Sequence, residues 1–492
     1  MPFVLSLDEG TTSARAALYD EQGRNVAMQS TPFECRYPQP GWVEQDADEI
    51  WNAQLYAAHL LLDRAAVPAS QIVALGITNQ RETTIVWERA NGRPIAPAIV
   101  WQCRRTAPYC AELAQSGAAG EITQRTGLVV DAYFSASKIR WILENIPGAR
   151  QRARDGELLF GNVDTWLIWK LTNGAAHVTD PTNASRTMLM NLETGAWDRD
   201  LLRIFDIPDA MLPRIAASSA VVGSVAPDHF GAEFPIAGIA GDQQAALAGQ
   251  ACFHAGLSKN TYGTGCFALM HTGGRRPVSQ HRLLATRAAS PSAEPQFAIE
   301  GSVFVAGAAV QWLRDQLGLI QTAADSEALA ASVGDTGGVY LVPAFVGLGA
   351  PHWDGAARGI LCGLTRSSSR AHIVRATLES IAYQTRELID AMQADSGERL
   401  AELRVDGGAA ANDFLMQFQA DILNCPIVRP VDIETTALGA AYLAGLATGF
   451  WKSPAEVESF WRAERRFEPA MQESVRDRLF AGWQDAVARC RR

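Results

Sequence analysis

Positive charge is what this sequence is short of. Its 43 Lys and Arg are outnumbered by 53 Asp and Glu, a formal net charge of -10 over 492 residues, and Lys occurs only at Lys138, Lys170, Lys259 and Lys452. A broad nucleic-acid or acidic-membrane footprint needs a basic face, so neither partner is expected. A polyphosphate held by a few local donors is not excluded. Long apolar runs are also missing. The best candidate, 437–450, is short and Gly-interrupted and reads as a buried helix, so no membrane span is expected. At the N-terminus, Phe3-Val4-Leu5 is too short for a secretory signal, and Asp8-Glu9 interrupts it. The eight Cys never stand in C-x-x-C spacing, which removes support for zinc or thioredoxin-type chemistry; they read as reduced, mostly buried thiols of a cytoplasmic protein. Asn183-Ala184-Ser185 matches the glycosylation pattern, but without a secretory route it reads as an accident. There is no G-x-x-x-x-G-K-[ST] loop and no G-x-G-x-x-G loop, so neither a P-loop nor a Rossmann site is available.

What is present is an ordinary globular composition, 48% hydrophobic and 20% charged, in a chain too long for one core. It opens as a meander, with strand-like runs at 3–7, 14–19 and 26–30 separated by turns. A helix capped by Asp46 follows, with Trp51, Leu55, His59 and Leu62 expected on its buried stripe. About 250 residues later the same order returns: strand-like 260–262, the turn Gly263-Thr264-Gly265, strand-like 266–271, a polar connection, strand-like 297–300, and a helix over 303–317. This repetition suggests two related domains with a boundary near 251–256. Val374, Leu378, Ile381, Leu388 and Met392 fit one buried helix face, and a strand at 403–405 leads through Asp406-Gly407-Gly408 to a helix near Asn412 bearing Leu415, Phe418 and Ile422.

Candidate chemistry gathers at the ends of these strands. In Asp8-Glu9-Gly10-Thr11-Thr12-Ser13 an apolar strand delivers a carboxylate, a glycine and three hydroxyls, with Arg15 on the returning strand. The turn can surround phosphate oxygens, and Asp8 can hold Mg²⁺ through water. A plain hairpin is the alternative. Gly263-Thr264-Gly265 and Asp406 to Asn412 are two more glycine turns, and the second stands before a helix N-terminus. Asp242, after the apolar run 235–240, suits a general base or equally a helix cap. Arg81-Glu82 lies between the strand-like runs 72–78 and 84–87 and could grip a polyol, with Trp101 and Tyr133 as an apolar wall; solvated charges and ordinary core aromatics are the alternatives.

Together these residues resemble the FGGY family of carbohydrate kinases, and within it the enzymes that phosphorylate glycerol. The resemblance runs from Val4 to about Trp451 and is carried by Gly76 to Thr84, Trp101 to Arg105, Tyr133 to Trp141, Gly241 to Ala246, Tyr262 to Phe267 and the stretch from Gly347 to Ser380. It implies an α/β fold of two ribonuclease-H-like (actin-like ATPase) domains around a central cleft, divided as 1–252, binding glycerol and phosphate, and 253–492, binding nucleotide. It implies ATP and Mg²⁺ as cofactors, sn-glycerol 3-phosphate and ADP as products, and a homodimer or homotetramer. By motif position, glycerol would meet Arg81, Glu82, Trp101, Tyr133, Asp242, Gln243 and Phe267, with Asp242 the base and Asp8 at the metal. Nucleotide would meet Thr11, Thr12, Ser13 and Arg15 in the first half, and Thr264, Gly307, Gln311, Gly408 and Asn412 in the second. Two departures stand out. Glu9 replaces the family's usual Gln, and would weaken ATP binding if it faces the phosphates but do little if strand alternation turns it away. Gly231-Ala232-Glu233-Phe234 lacks the Arg of the loop that binds fructose 1,6-bisphosphate in some relatives, so no such inhibition is expected.

Overall fold

The computed structural model describes residues 1–292 and 294–491. The opening meander forms as expected: β1 (Phe3–Glu9), β2 (Ser13–Tyr19) and β3 (Asn25–Pro32) pair antiparallel in sequence. β4 (Ile72–Asn79) pairs parallel with β1, β5 (Ser219–Ser224) is an antiparallel edge strand, and β6 (Pro235–Gly241) pairs parallel with β4. The six-stranded sheet has the order β5-β6-β4-β1-β2-β3. β1 and β4 are buried on both faces, and both read as apolar runs because parallel strands covered on each side need no alternation.

The second sheet repeats this plan. β7 (Ser258–Tyr262), β8 (Cys266–Gly273) and β10 (Phe297–Val303) form its meander, with β9 (Leu284–Arg287) added beside β10. β11 (Leu403–Asp406) and β12 (Ile427–Pro430) add parallel, and β13 (Ala463–Phe467) closes the edge antiparallel. The order β9-β10-β8-β7-β11-β12-β13 contains β10-β8-β7-β11-β12, which matches β3-β2-β1-β4-β6 strand for strand.

The helices that matter for the site follow particular strands. α1 (Ala47–Ala65) is capped by Asp46, whose carboxylate accepts the N–H groups of Asp48 and Glu49. Its buried stripe is Ile50, Trp51, Gln54, Ala57, Ala58, Leu61 and Leu62; His59 is exposed and Leu55 half-buried, so the expected stripe was turned by about one residue. α2 (Ser135–Asn145) and α3 (Val163–Leu171) come next, and α4 (Asp242–Gly249) leaves β6 directly. α5 (Gly307–Asp315) begins later than expected, because Val303 still pairs with Cys266 and extends β10. The polar connection expected before β10 contains a strand, β9. α6 (Arg370–Ser396) buries all five residues of its expected stripe, and α7 (Asp413–Leu423) is capped by Asn412. α8 (Thr435–Thr448) follows β12 as α4 follows β6, and these two equivalent helices cross. A Cβ on Gly249 would stand 1.9 Å from the Thr435 carbonyl oxygen, and one on Gly439 1.8 Å from that of Ala245, so only glycine at both positions allows the approach.

Candidate functional site

β1 ends where the chain must turn, and there Asp8 is 4% exposed. Burial raises its pKa to about 6, against the pull of Arg15, with Asp242 and Glu434 adding to the rise. Arg15 stands 3.4 Å from Asp8 and 2.9 Å from Glu434, which is a residue of the second half of the chain. Negative charge thus exceeds positive charge around Asp8. A hard dication with its own water fits such a place, with Asp8 as the protein ligand. Among the described residues no cluster of three or more His, Cys, Asp or Glu stands where it could hold a metal ion. Thr11, Thr12 and Ser13 line the same turn, and Thr12 is exposed. Glu9 points the other way by strand alternation. It is fully buried, neither carboxyl oxygen has a hydrogen-bond partner among the described residues, and burial with Asp8 nearby holds its pKa well above the usual range.

The residues expected to hold the acceptor come from several elements. Arg81 and Glu82 follow β4 and are both buried. Glu82 has φ +61°, a strained backbone for a side-chain-bearing residue that the surroundings must enforce. Arg81 Nε stands 3.0 Å from Asp242 Oδ1, and Asp242 Oδ1 accepts the N–H of Gln243 at 2.7 Å. The helix cap is Gly241, one residue earlier than the capping alternative put it, and Asp242 is the first residue of α4. Gly241 is itself held by a chain: its N–H donates to Thr182 Oγ1 at 2.8 Å, which donates on to the buried Asp180. Trp101 donates from Nε1 to Thr11 Oγ1 at 2.9 Å and packs edge-on against Tyr133, which joins the phosphate turn to the aromatic wall. Gln243 Oε1 and the Phe267 carbonyl both accept from Lys259.

The remaining candidates lie around β7. The N–H groups of Ala306 and Ala308 donate to the Thr264 carbonyl, and that of Gly307 donates to Gly263 at 3.0 Å, so the second glycine turn and the start of α5 form one unit. A Cβ on Gly307 would stand 2.6 Å from the Gly263 carbonyl oxygen. Gly408 has open space where a side chain would be, Asn412 caps α7 by accepting the Leu415 N–H at 2.9 Å, and Gln311 is exposed on α5.

Sequence reasoning missed three charges that bond directly to Arg81, Glu82 and Gln243. Glu300, on β10 of the second sheet, accepts two bonds from Arg81 at 2.5 and 2.9 Å. Arg186 donates to Glu82 at 2.6 Å and to Glu300 at 3.3 Å. Lys259 on β7 is fully buried, and burial lowers its pKa despite Asp406, Asp242 and Glu300. Burial pushes Glu300 up, but Arg186 and Arg81 outweigh it and hold it at about 2. Burial wins at Glu82, whose pKa is raised in spite of the same two arginines. The available signal was charge inside strand-like apolar runs, at 259 and 300. Asn183, the residue of the glycosylation pattern, is fully buried and bonded to Asp180 and Asn79, so that pattern is structural.

Comparison with known proteins gives consistent matches. The N-terminal domain model of the FGGY family of carbohydrate kinases matches residues 3–249, and its C-terminal domain model matches 258–448. The chain is 59% identical over 489 residues to a glycerol kinase of Symbiobacterium thermophilum, covering 99% of this chain and 98% of that one. It is 57% identical over 489 residues to glycerol kinase 2 of Thermotoga maritima, covering 99% of each. Among solved structures, a Plasmodium falciparum glycerol kinase with ADP superposes with a TM-score of 0.94 at 38% identity, over 100% of this chain and 98% of that one. A xylulose kinase from Lactobacillus acidophilus shares the fold, with a TM-score of 0.88 at 22% identity over 99% and 96%.

Proposed function

Because the chain belongs to the FGGY family of carbohydrate kinases, we propose that it transfers the γ-phosphoryl group of ATP to a terminal hydroxyl of glycerol, giving sn-glycerol 3-phosphate and ADP. The observation that carries this reading is the meeting of two strand ends: Glu9 at the end of β1 and Gly241 at the end of β6 both pair with Asn79 at the end of β4, which brings Asp8 and the Asp242–Arg81 pair to one edge of the sheet. An acceptor site and a phosphate turn thus share one region.

Residues 1–252 hold glycerol and the phosphates, and residues 253–492 hold the nucleotide. Arg81, Glu82 and Gln243 fix the triol, and Trp101, Tyr133 and Phe267 supply its apolar surroundings. Asp242 accepts the proton of the attacking hydroxyl. As that oxygen bonds to the γ-phosphorus, the bond from phosphorus to the β–γ bridging oxygen breaks and ADP leaves. Thr11, Thr12, Ser13 and Arg15 place donors at the phosphates; Thr264, Gly307, Gln311, Gly408 and Asn412 seat the rest of the nucleotide. Mg²⁺, held at Asp8, would neutralise charge on the phosphoryl oxygens. Positioning and charge stabilisation carry most of such a transfer, and exclusion of water suppresses ATP hydrolysis. The protein acts in the cytoplasm as a homodimer or homotetramer. Loop 231–234 presents Glu233 to solvent, where a bisphosphate would meet a carboxylate, so fructose 1,6-bisphosphate leaves the rate unchanged.

The test is ADP release on addition of glycerol, with dihydroxyacetone, erythritol and pentuloses in the same panel. Glycerol is expected to give the highest kcat/KM, and preference for a pentulose would overturn the assignment. Asp242→Asn should keep calorimetric binding of glycerol and ATP while kcat falls by about 10²–10⁴. Retained kcat removes Asp242 as the base.

A further inference from the structure

The acceptor residues belong to the first half of the chain, yet their charge balance is completed from the second sheet. Three cations, Arg81, Arg186 and Lys259, stand with three carboxylates, Glu82, Asp242 and Glu300, and all but Asp242 are buried. Glu300 lies on β10, paired across the sheet with Leu269 on one side and Leu284 on the other, and is 2% exposed. An apolar residue would pack there without the desolvation penalty of a charge, so a carboxylate at this position needs a partner and a purpose. Its partners are the two arginines that also serve Asp242 and Glu82. Arg81 divides its donors between Asp242 at 3.0 Å, Gln244 at 3.2 Å and the two Glu300 oxygens. Arg186 divides its own between Glu82 and Glu300, and its Nη1 has no partner among the described residues.

We propose that Glu300 is a positioning residue for the phosphoryl acceptor, holding Arg81 and Arg186 from the second sheet so that Asp242 and Glu82 keep lone pairs free for the polyol. The proposal rests on the glycerol-binding reading of Arg81, Glu82 and Asp242. Without Glu300 the two arginines lose the carboxylate they share. Both guanidinium groups then turn to the carboxylates that remain, and those carboxylates are the ones that must accept hydroxyl protons. Two neighbouring contacts act in the same direction: Thr286 on β9 accepts from Gln244 at 2.8 Å, and Lys259 on β7 holds Gln243. The acceptor site is therefore assembled only when the second sheet is seated against the loop that follows β4.

The experiment is steady-state kinetics of Glu300→Gln beside Glu300→Asp, normalised to folded enzyme. Wild-type enzyme is assayed first for glycerol-dependent ADP release, and its failure there would refute the glycerol reading itself. In an active background, Glu300→Gln should raise the glycerol KM by about tenfold or more, the loss expected for a charged hydrogen-bond pair. The ATP KM should stay within about twofold, and Glu300→Asp, which keeps the charge, should recover much of the loss. An unchanged glycerol KM in Glu300→Gln, or equal rises in both KM values, would overturn the proposal. Should Glu300→Gln be insoluble, Glu300→Asp alone takes its place, because its shorter carboxylate cannot keep both bonds to Arg81. A raised glycerol KM with an unchanged ATP KM in that folded variant supports the proposal, and a wild-type glycerol KM defeats it.

Discussion

Glu9 and Asp8 are neighbours in sequence with opposite surroundings. Asp8 turns to the site and has Arg15 beside it; Glu9 turns into the protein and has no polar partner among the described residues. A carboxyl so buried keeps its proton far above the ordinary range and presents no charge to a phosphate. Glu9→Gln should therefore leave ATP affinity within about twofold by calorimetry, the size of a substitution that touches no ligand; a large gain would show that Glu9 faces the phosphates. Asp164 on α3 offers a prediction about pH. Burial raises its pKa to about 7, against a bond from Thr179 Oγ1 at 2.6 Å, and its Oδ1 has no partner. The folded state thus binds this proton more tightly than the unfolded chain. The contribution to stability is complete below the unfolded pKa near 4 and is lost as pH rises through about 7. Asp164→Asn, which keeps an acceptor for Thr179, should match wild type in urea unfolding at pH 4 and exceed it at pH 8 by a few kcal/mol, at about 1.4 kcal/mol per pKa unit. Equal stabilities at pH 8 would contradict this. Arg81, Glu82 and Asp242 stood out in the sequence as charges at strand ends, with helix capping or solvation as alternatives; their assignment to glycerol came from the family resemblance, and the structure brings Arg81 and Asp242 to 3.0 Å. Glu300 showed only as a charge inside an apolar run and Arg186 not at all, because each gains meaning only from a partner more than 100 positions away, 219 from Glu300 to Arg81 and 104 from Arg186 to Glu82.

At the level of elements, periodicity identified helices well and fixed their faces less well. α6 presents its expected stripe because it packs as a long helix on one side. α1 does not, because Gln54 is buried to donate to the Arg15 carbonyl at 2.8 Å, and a polar residue on a buried face is invisible to a hydrophobic pattern. β9 was read as a polar connection since Thr286 and Arg287 look solvated. In the fold Thr286 bonds Ser185 and Gln244, and Arg287 bonds the carbonyls of Leu192 and Glu193. The crossing of α4 and α8 yields the element-scale prediction. Backbone meets backbone there, so an added methyl group cannot be relieved by a side-chain rotation. Gly439→Ala should separate the helices and destabilise the protein by about 3 kcal/mol or more, the upper range for overpacking. Since α4 begins with Asp242, the shift should also lower kcat. Denaturant unfolding and glycerol kinetics of one preparation check both effects, and a variant with wild-type stability would mean that the crossing has room for a methyl group.

For the molecule as a whole, the repeated strand order hides an exchange. α8 belongs to the second half of the chain, but Ala437, Ala441, Leu443 and Ala444 pack with Val4, Ala74, Ala237 and Ala240 of the first sheet. Gly76 and Gly238 on that sheet lie so close to α8 that a Cβ on either would stand 2.2 or 2.6 Å from the Ala440 carbonyl oxygen. Trp451 continues the cover, and its Nε1 donates to the Glu21 carbonyl at 2.9 Å. The sequence showed the repeat in its order of strands and turns, but not this exchange, because a uniformly apolar helix such as α8 does not say which sheet it will cover. A fragment ending at residue 252 would keep every strand of the first sheet and lose the layer over one of its faces. Burial of that face supplies about 25 cal/mol per Å² of apolar surface, and marginal stability leaves little in reserve to replace it. The fragment 1–252 should therefore lack a cooperative thermal transition and bind hydrophobic dyes, whereas the full chain should unfold with far-UV circular dichroism and tryptophan fluorescence changing together. A fragment that melts sharply on its own would show that the first sheet is stable without α8, and that the two halves are joined more weakly than their shared core implies.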